Sequence, residues 1–386
     1  MHPRNNGSCP LLLLLALVVL LGTWLAAQNS PAPAGAPPFD KLRAGSKLPL
    51  LGWVSAQDPA SGAAAASQNP KTSSPPGAAQ NQTPPPVGEI PETKKEKEGD
   101  VYVFKKQVDE VLLHATVVDD HNRLVTDLVR NDFTVFEDGK PQKVTLFRRE
   151  DIPVAMGIVI DNSGSMRLKR PAVNAAAINL VQASNPQDKV FIVNFNEEYF
   201  LDQDYTSSIP KLKDALERIE ARGGTALYDA TVASADHLKK SGELEKKVLL
   251  VVTDGEDNAS RESLEQAVRR LQVENGPTVY TIGLLQEEHS KRAKRALREM
   301  AEETGGVAFF PKDLGEVNAI TSQIAHDIRN QYTIGYKPDT PQSAGGYRTV
   351  KVDAQAKGYK KLQVRTRSGY YAGQQQRASS TGQGGK

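Results

Sequence analysis

Between residues 153 and 330 the chain alternates short, almost wholly apolar runs with longer stretches of helical spacing. The runs at 155–161, 189–195, 248–254, 278–284 and 307–310 read as strands buried on both faces, with a short edge strand near 199–202. Segments 170–183, 208–220, 227–240, 261–274, 289–304 and 313–329 carry apolar positions at helical intervals. Strands alternating with helices predict a parallel sheet covered on both faces, a Rossmann-like, doubly wound α/β unit over residues 151–330.

On both sides of that unit the period changes to two. Residues 108–118 read as a strand and 119–122 as a turn. Residues 133–136 alternate ahead of Glu137-Asp138-Gly139-Lys140, a hairpin signal, and 144–148 follow as another strand. Past residue 330 the segments 331–336, 347–352, 362–366 and 369–372 are strand-like in turn. Neither flank is large enough to promise a core of its own. Residues 101–150 and 331–372 are therefore expected to pair into one β-sandwich with the α/β unit inserted in it; separate β appendages flanking that unit are the alternative. In the shared case Val111, Leu113, Phe133 and Phe136 would meet Tyr332, Ile334, Val350 and Leu362 in a single core.

The ends have a different character. Residues 1–27 resemble an export signal, with Arg4, an apolar core at 11–21 and Ala26-Ala27 near a cut; an uncleaved anchor is the alternative. Either way the remainder is expected to be exported, to the cell envelope or beyond, touching a membrane only through such an anchor. Residues 28–100 are rich in Pro, Ala, Gln and Ser and predict a disordered tether, and the Gly-rich stretch 373–386 a disordered tail. Within the tether, 48–54 is an apolar island without a functional account.

Composition removes several function classes. A net charge of +2 argues against a dedicated nucleic-acid binder. The basic run 291–295 lies in a helical pattern and reads as a solvated helix face. A single cysteine, Cys9, excludes an intramolecular disulfide and thiolate-built zinc or iron–sulfur centres. The six histidines show no ligand spacing. His114 and His121 stand near Asp119 and Asp120, where a polar turn is the better reading.

Candidate chemistry gathers where the apolar runs stop. Ile158-Val159-Ile160 ends at Asp161, followed by Ser163 and Ser165 at alternate positions and then by a helix. This strand–turn–helix places three oxygen donors at the carboxyl end of a parallel strand, where open α/β sheets bind ligands. Arg222-Gly223-Gly224-Thr225 adds a hydroxyl on a glycine-rich turn ahead of another helix. The run 247–252 leads through Thr253 to Asp254. Oxygen-only donors suit a hard divalent cation.

These three loops, in this order and context, resemble the von Willebrand factor type A domain and its metal-ion-dependent adhesion site, which reads Asp-x-Ser-x-Ser, then Thr, then Asp. The resemblance covers about 153–330 and implies metal ligation by Asp161, Ser163, Ser165, Thr225 and Asp254. It suggests Mg²⁺ or Mn²⁺ first, with Ca²⁺ also acceptable to such oxygens. Two carboxylates and three neutral hydroxyls would just neutralise a divalent ion and leave it short of six ligands. A carboxylate from a protein partner is the natural sixth ligand, as the family's adhesion sites are understood to work. The expectation is thus a binding module of adhesion type, with an envelope assembly or scaffold subunit as the rival. Metal-assisted hydrolysis is the weaker reading: Glu256 and Asp257 could be proposed as bases, but polarity on the loop suits them better, and no Gly-x-Ser-x-Gly precedes a helix. The chain is not expected to be an enzyme.

Overall fold

A computed structural model describes residues 110–217, 221–240, 244–285 and 290–373. The expected signal (1–27), the tether (28–100) and all but the first residue of the tail (373–386) lie outside the described residues.

The α/β unit is built on a six-stranded sheet. Its strands are β5 (Val154–Asp161), β6 (Lys189–Phe195), β7 (Tyr199–Thr206), β8 (Lys246–Thr253), β9 (Thr278–Gly283) and β10 (Ala308–Phe309), in the spatial order β10-β9-β8-β5-β6-β7. All neighbours run parallel except β7, which turns back antiparallel on β6. The central strand β5 is buried along its whole length, so both faces must be apolar. Met156, Ile158 and Ile160 pack under α1 (Arg170–Ala183), α2 (Ile209–Glu217) and α6 (Glu316–Arg329). Ala155 and Val159 face α3 (Leu227–Lys240), α4 (Leu264–Leu271) and α5 (Lys291–Glu302). Gly157 sits on this second face because nothing larger fits. A β-carbon there would lie 2.3 Å from the Phe191 ring.

The helices fall where the periodicity places them but are shorter at several ends. For the segment 261–274 the helix covers only Leu264–Leu271. Ser263 caps it in a reciprocal box with Gln266, and the two residues before the cap donate their amides to Asp229 instead of continuing the helix. At the other end Gln272 accepts from the amide of Tyr371, a residue of the β flank. Both ends are set by distant partners. Strand β7 is longer than the expected 199–202, and β10 is only two residues long.

The flanking segments form two antiparallel sheets, each mixing strands from both sides of the α/β unit. From the N-terminal flank come β1 (Val111–Asp119), β2 (Phe133–Glu137), β3 (Lys140–Gln142) and β4 (Val144–Arg148). From the C-terminal flank come β11 (Tyr332–Tyr336), β12 (Gly346–Ala354), β13 (Leu362–Arg365) and β14 (Gly369–Ala372). One sheet has the order β13-β1-β11-β4, the other β14-β12-β2-β3. A single apolar cluster joins them: Val111, Leu113 and Phe133 share it with Tyr332, Ile334 and Val350, and Leu362 packs at its edge.

Two details depart from the sequence reading. The strand that returns from the Glu137–Lys140 turn is β3, whereas 144–148 crosses to the other sheet and pairs with β11. Positive φ at Asp138 and Gly139 closes the two-residue turn, and Pro141, which has no N–H to donate, lies on the outermost strand. Phe136 is not in the core. Phe133, Val135 and Glu137 occupy the inward positions, so Phe136 faces outward with Lys351 Nζ 5.9 Å from its ring centre.

Glu137 enters the core with a full set of partners. It accepts from the hydroxyls of Tyr336 (2.5 Å) and Tyr370 (2.9 Å) and pairs with Arg348 (3.4 Å). Burial pushes both tyrosine hydroxyls well above their ordinary range, and Glu137 beside them pushes them further. Among the described residues no helix is long and apolar enough to cross a membrane.

Candidate metal centre

Parallel strands end together, and here β5 and β8 deliver Asp161 and Asp254 to one edge of the sheet. The Asp161 side chain is buried at the end of β5. Its Oδ1 accepts from the Ser163 amide (2.8 Å) and its Oδ2 from the Thr253 hydroxyl (2.6 Å), so the carboxylate is fixed from below and from its own loop. Burial raises its pKa and the charge of Asp254 raises it further, against the lowering effect of Thr253 and Ser163. Two carboxylates brought together out of water are a poor arrangement without a cation.

The other expected donors lie above Asp161. The Ser163 and Ser165 hydroxyls are 3.2 Å apart, and Ser165 donates to Asp254 Oδ1 at 2.7 Å. Ser163, Ser165, Thr225 and Asp254 all line one open cleft of about 530 Å³. Thr225 makes no described side-chain contact with the other four, but its loop is tied to theirs. Gly164 donates to the Gly223 carbonyl (3.3 Å), Arg222 to that of Asn162 (2.9 Å), and Thr225 donates its amide to Asn258 Oδ1 (2.8 Å). A methyl group placed on Gly255 would lie 3.6 Å from the Thr225 hydroxyl, so the second and third loops touch. The turn needs its glycine at Gly223, where φ is +80°.

Asp257 has an architectural role. Its carboxylate accepts from the Tyr228 amide (3.0 Å) in the first turn of α3 and from the Ser260 hydroxyl (2.5 Å). A carboxylate at a helix N-terminus suits the orphan amides and the dipole there. Glu256 lines the cleft beside it.

Lys169 was not singled out by the sequence reading. Its ammonium pairs with Asp254 Oδ2 and reaches the Leu284 carbonyl beyond β9 (3.4 Å). Arg170, next along, is buried and donates to Asn194 Oδ1 (2.8 Å) and the Leu216 carbonyl (3.2 Å). Burial lowers the Arg170 pKa to about 10, against the opposing charges of Asp202 and Asp161. Two cations thus stand at the start of α1, with no acid in its first turn. The helix dipole disfavours cations there. That anomaly is the signal in the sequence: Asp254 accounts for Lys169, while Arg170 is held by Asn194 and the Leu216 carbonyl. Leu168, between Lys169 and Arg167, is 88% exposed at the rim of the same loop.

The donor set fits a hard divalent cation: two carboxylates, three hydroxyls, no nitrogen or sulfur, and an Asp254 that already attracts a positive charge. The other acidic group, Asp119, Asp120 and His121, behaves as a polar turn. Asp119 accepts from the amides of His121 and Arg123 (2.9 Å each) and pairs with the Arg123 guanidinium, which lowers its pKa to about 2. His114 is half-buried on the face of β1 opposite Leu113, where burial and three nearby cations lower its pKa to about 3.

Residues 156–323 match the family model of the von Willebrand factor type A domain, and the chain contains a domain of this type. No curated protein matches the chain. Among solved structures, a mutant of the PilB minor pilin from Streptococcus sanguinis is similar at 13% identity and a TM-score of 0.41, covering 46% of this chain and 62% of that one. Proximal thread matrix protein 1 from the mussel byssus, with a zinc-occupied MIDAS motif, is similar at 18% identity and 0.41, covering 50% of each chain. A von Willebrand factor type A protein from Catenulispora acidiphila is similar at 15% and 0.40, covering 70% of this chain and 74% of that one. The chain thus spans less than two thirds of the length of the first two. Likenesses at this level carry nothing about ligand or partner.

Proposed function

We propose that this chain is an exported protein-binding module whose α/β domain engages a partner through a divalent cation held by Asp161, Ser163, Ser165, Thr225 and Asp254. Mg²⁺ is the first candidate on the family resemblance, and Mn²⁺ and Ca²⁺ are also acceptable to such oxygens. The observation that carries the reading is the gathering of Ser163, Ser165, Thr225 and Asp254 around one open cleft, with the buried Asp161 carboxylate fixed by Ser163 and Thr253 at the end of the neighbouring strand. When bound, the cation supplies a coordination position open to an acidic side chain of the partner. Leu285 gives the cleft apolar contact area, and the exposed Leu168 adjoins Lys169 on the first loop. Asp257 is engaged at the start of α3, which removes one candidate base for hydrolysis and favours binding over catalysis. In the same reading the two β sheets form one sandwich that carries the α/β domain at the end of the tether. Adhesion to a surface and assembly within an envelope both use such a module; a fixed stoichiometric partner on co-purification marks the second.

Calorimetry with Mg²⁺ and Mn²⁺ tests the site. Wild type should bind one ion and Asp161→Ala none, with a metal-dependent gain in stability of about 1 kcal/mol at a few times Kd. Retention of a purified partner should be lost in chelator and on replacement of a single partner carboxylate. Equal metal binding by wild type and Asp161→Ala sinks the site.

A further inference from the structure

Lys169 alters the charge count at the sheet edge. Counting only the five oxygen donors gives two negative charges, enough to neutralise a divalent ion. The Lys169 ammonium is paired with Asp254 Oδ2 and anchored on the Leu284 carbonyl. The Asp254 side chain is 0% exposed and that of Lys169 19%, so the pair is largely shielded from water. Lys169 is also fixed at its base: its amide bonds the Met166 carbonyl (2.9 Å) and its own carbonyl accepts from Val173 (3.1 Å) as α1 begins. Its side chain lines the cleft alongside Ser163, Ser165 and Thr225.

We infer that Lys169 is a built-in competitor that sets the affinity of the site for its divalent cation. The inference rests on the metal-site reading above. A cation that takes up Asp254 has to share or displace the ammonium, which holds metal binding weak and sensitive to metal concentration. Among the described residues lining the cleft, Asp254, Glu256 and Asp257 are acidic and Lys169 is the cation, so Lys169 is the group against which a divalent ion has to compete for Asp254.

Arg167 supplies the control. It lies on the same loop, is exposed, and reaches the Ala221 carbonyl (3.3 Å), not a carboxylate. Calorimetry with Mn²⁺ on the full chain should show Lys169→Met binding about tenfold or more tighter than wild type, the scale of one lost hydrogen bond to a charged group. Lys169→Arg should restore the weaker binding, and Arg167→Met should shift it by less than about threefold, as expected of a screened surface charge. Thermal unfolding gives an independent readout. In chelator Lys169→Met should melt below wild type, because Asp254 is left buried without its cation, and Mn²⁺ should raise its midpoint by more than it raises that of wild type. Equal Mn²⁺ affinity in wild type and Lys169→Met overturns the inference while leaving the metal site standing. So does an Arg167→Met effect as large as that of Lys169→Met, which would assign the change to the general field of the loop. If neither wild type nor Lys169→Met binds Mn²⁺, the metal site falls and the inference with it.

Discussion

Glu137 and Asp254 carry the same charge and are both removed from water, yet their surroundings differ. Glu137 is closed in by two tyrosine hydroxyls and Arg348, whose other N–H groups go to the carbonyls of Thr340 (2.8 Å) and Pro341 (2.7 Å). These donors are on or beside strands, and the phenol rings leave them little freedom. Asp254 has one serine hydroxyl and one ammonium on a four-carbon stem, at the floor of an open cleft. The closed network joins β2 to β11, β12 and β14 and so selects which strands pair across the molecule. The open one holds its charge with groups that can be exchanged. A buried carboxylate serves architecture when its donors are complete and rigid, and binding when they are few and displaceable.

That contrast can be broken or sharpened experimentally. The largest effect should come from deleting residues 331–386, which removes the partners β11 and β13 from β1 and β12 from β2. Amide exchange over 111–148 should then lose its protection. If those amides stay protected, the two flanks do not depend on a common core. Next in size, Glu137→Ala takes the counter-charge from Arg348 and the acceptor from two tyrosine hydroxyls and should cost about 3–5 kcal/mol in urea unfolding, as for other broken buried pairs, with Mn²⁺ affinity unaltered. A loss under about 1 kcal/mol would mean that the network is not closed in the sense used here.

A smaller effect should come from Asp188, a third buried carboxylate at the other end of the same sheet, where β5 begins. It accepts from the Val154 amide (2.8 Å), and burial raises its pKa to about 6. Between about pH 4 and 6 the folded state holds this proton when the unfolded chain has released it, so stability falls as pH rises through that window. Asp188→Asn keeps the acceptor and should flatten the fall, leaving the variant about 1–3 kcal/mol more stable at pH 7. Unfolding curves at pH 4, 5, 6 and 7 check this, and parallel slopes for the two proteins would refute it.

The α/β unit was legible because its signals are local: strands buried on both faces, and helices whose period survives in any single segment. Four of the five candidate oxygen groups lie in strand-end motifs a few residues long, and Thr225 on a glycine turn of its own, so the sequence could nominate them as candidates from local signals. What escaped depends on partners far along the chain. Glu137 reads as a solvent-facing position, and only Tyr336, Arg348 and Tyr370, about 200 residues later, make it interior and turn Phe136 out. Lys169 finds its meaning in Asp254, 85 residues on. The crossing of β4 to the second sheet likewise depends on β11. Alternation announces a strand but does not name its neighbour.

The pairing of β4 with β11 also bears on how the chain can be made. Strand β1 leaves the ribosome long before β11, since His114 and its neighbour Thr333 are 219 residues apart. Until then β1 lacks both of its neighbouring strands, β11 and β13, and its apolar residues are exposed along a largely unpaired edge. The α/β unit depends on nearer contacts and can form while the last strands are still being synthesised. Once formed, it holds the end of α6 beside the segment that leads into β5, with Arg329 donating to Asp151 (2.8 Å), and brings the ends of β4 and β11 together, so the closure of a long loop is complete before the second group of strands arrives. The inserted domain is thereby a folding template for the domain that carries it.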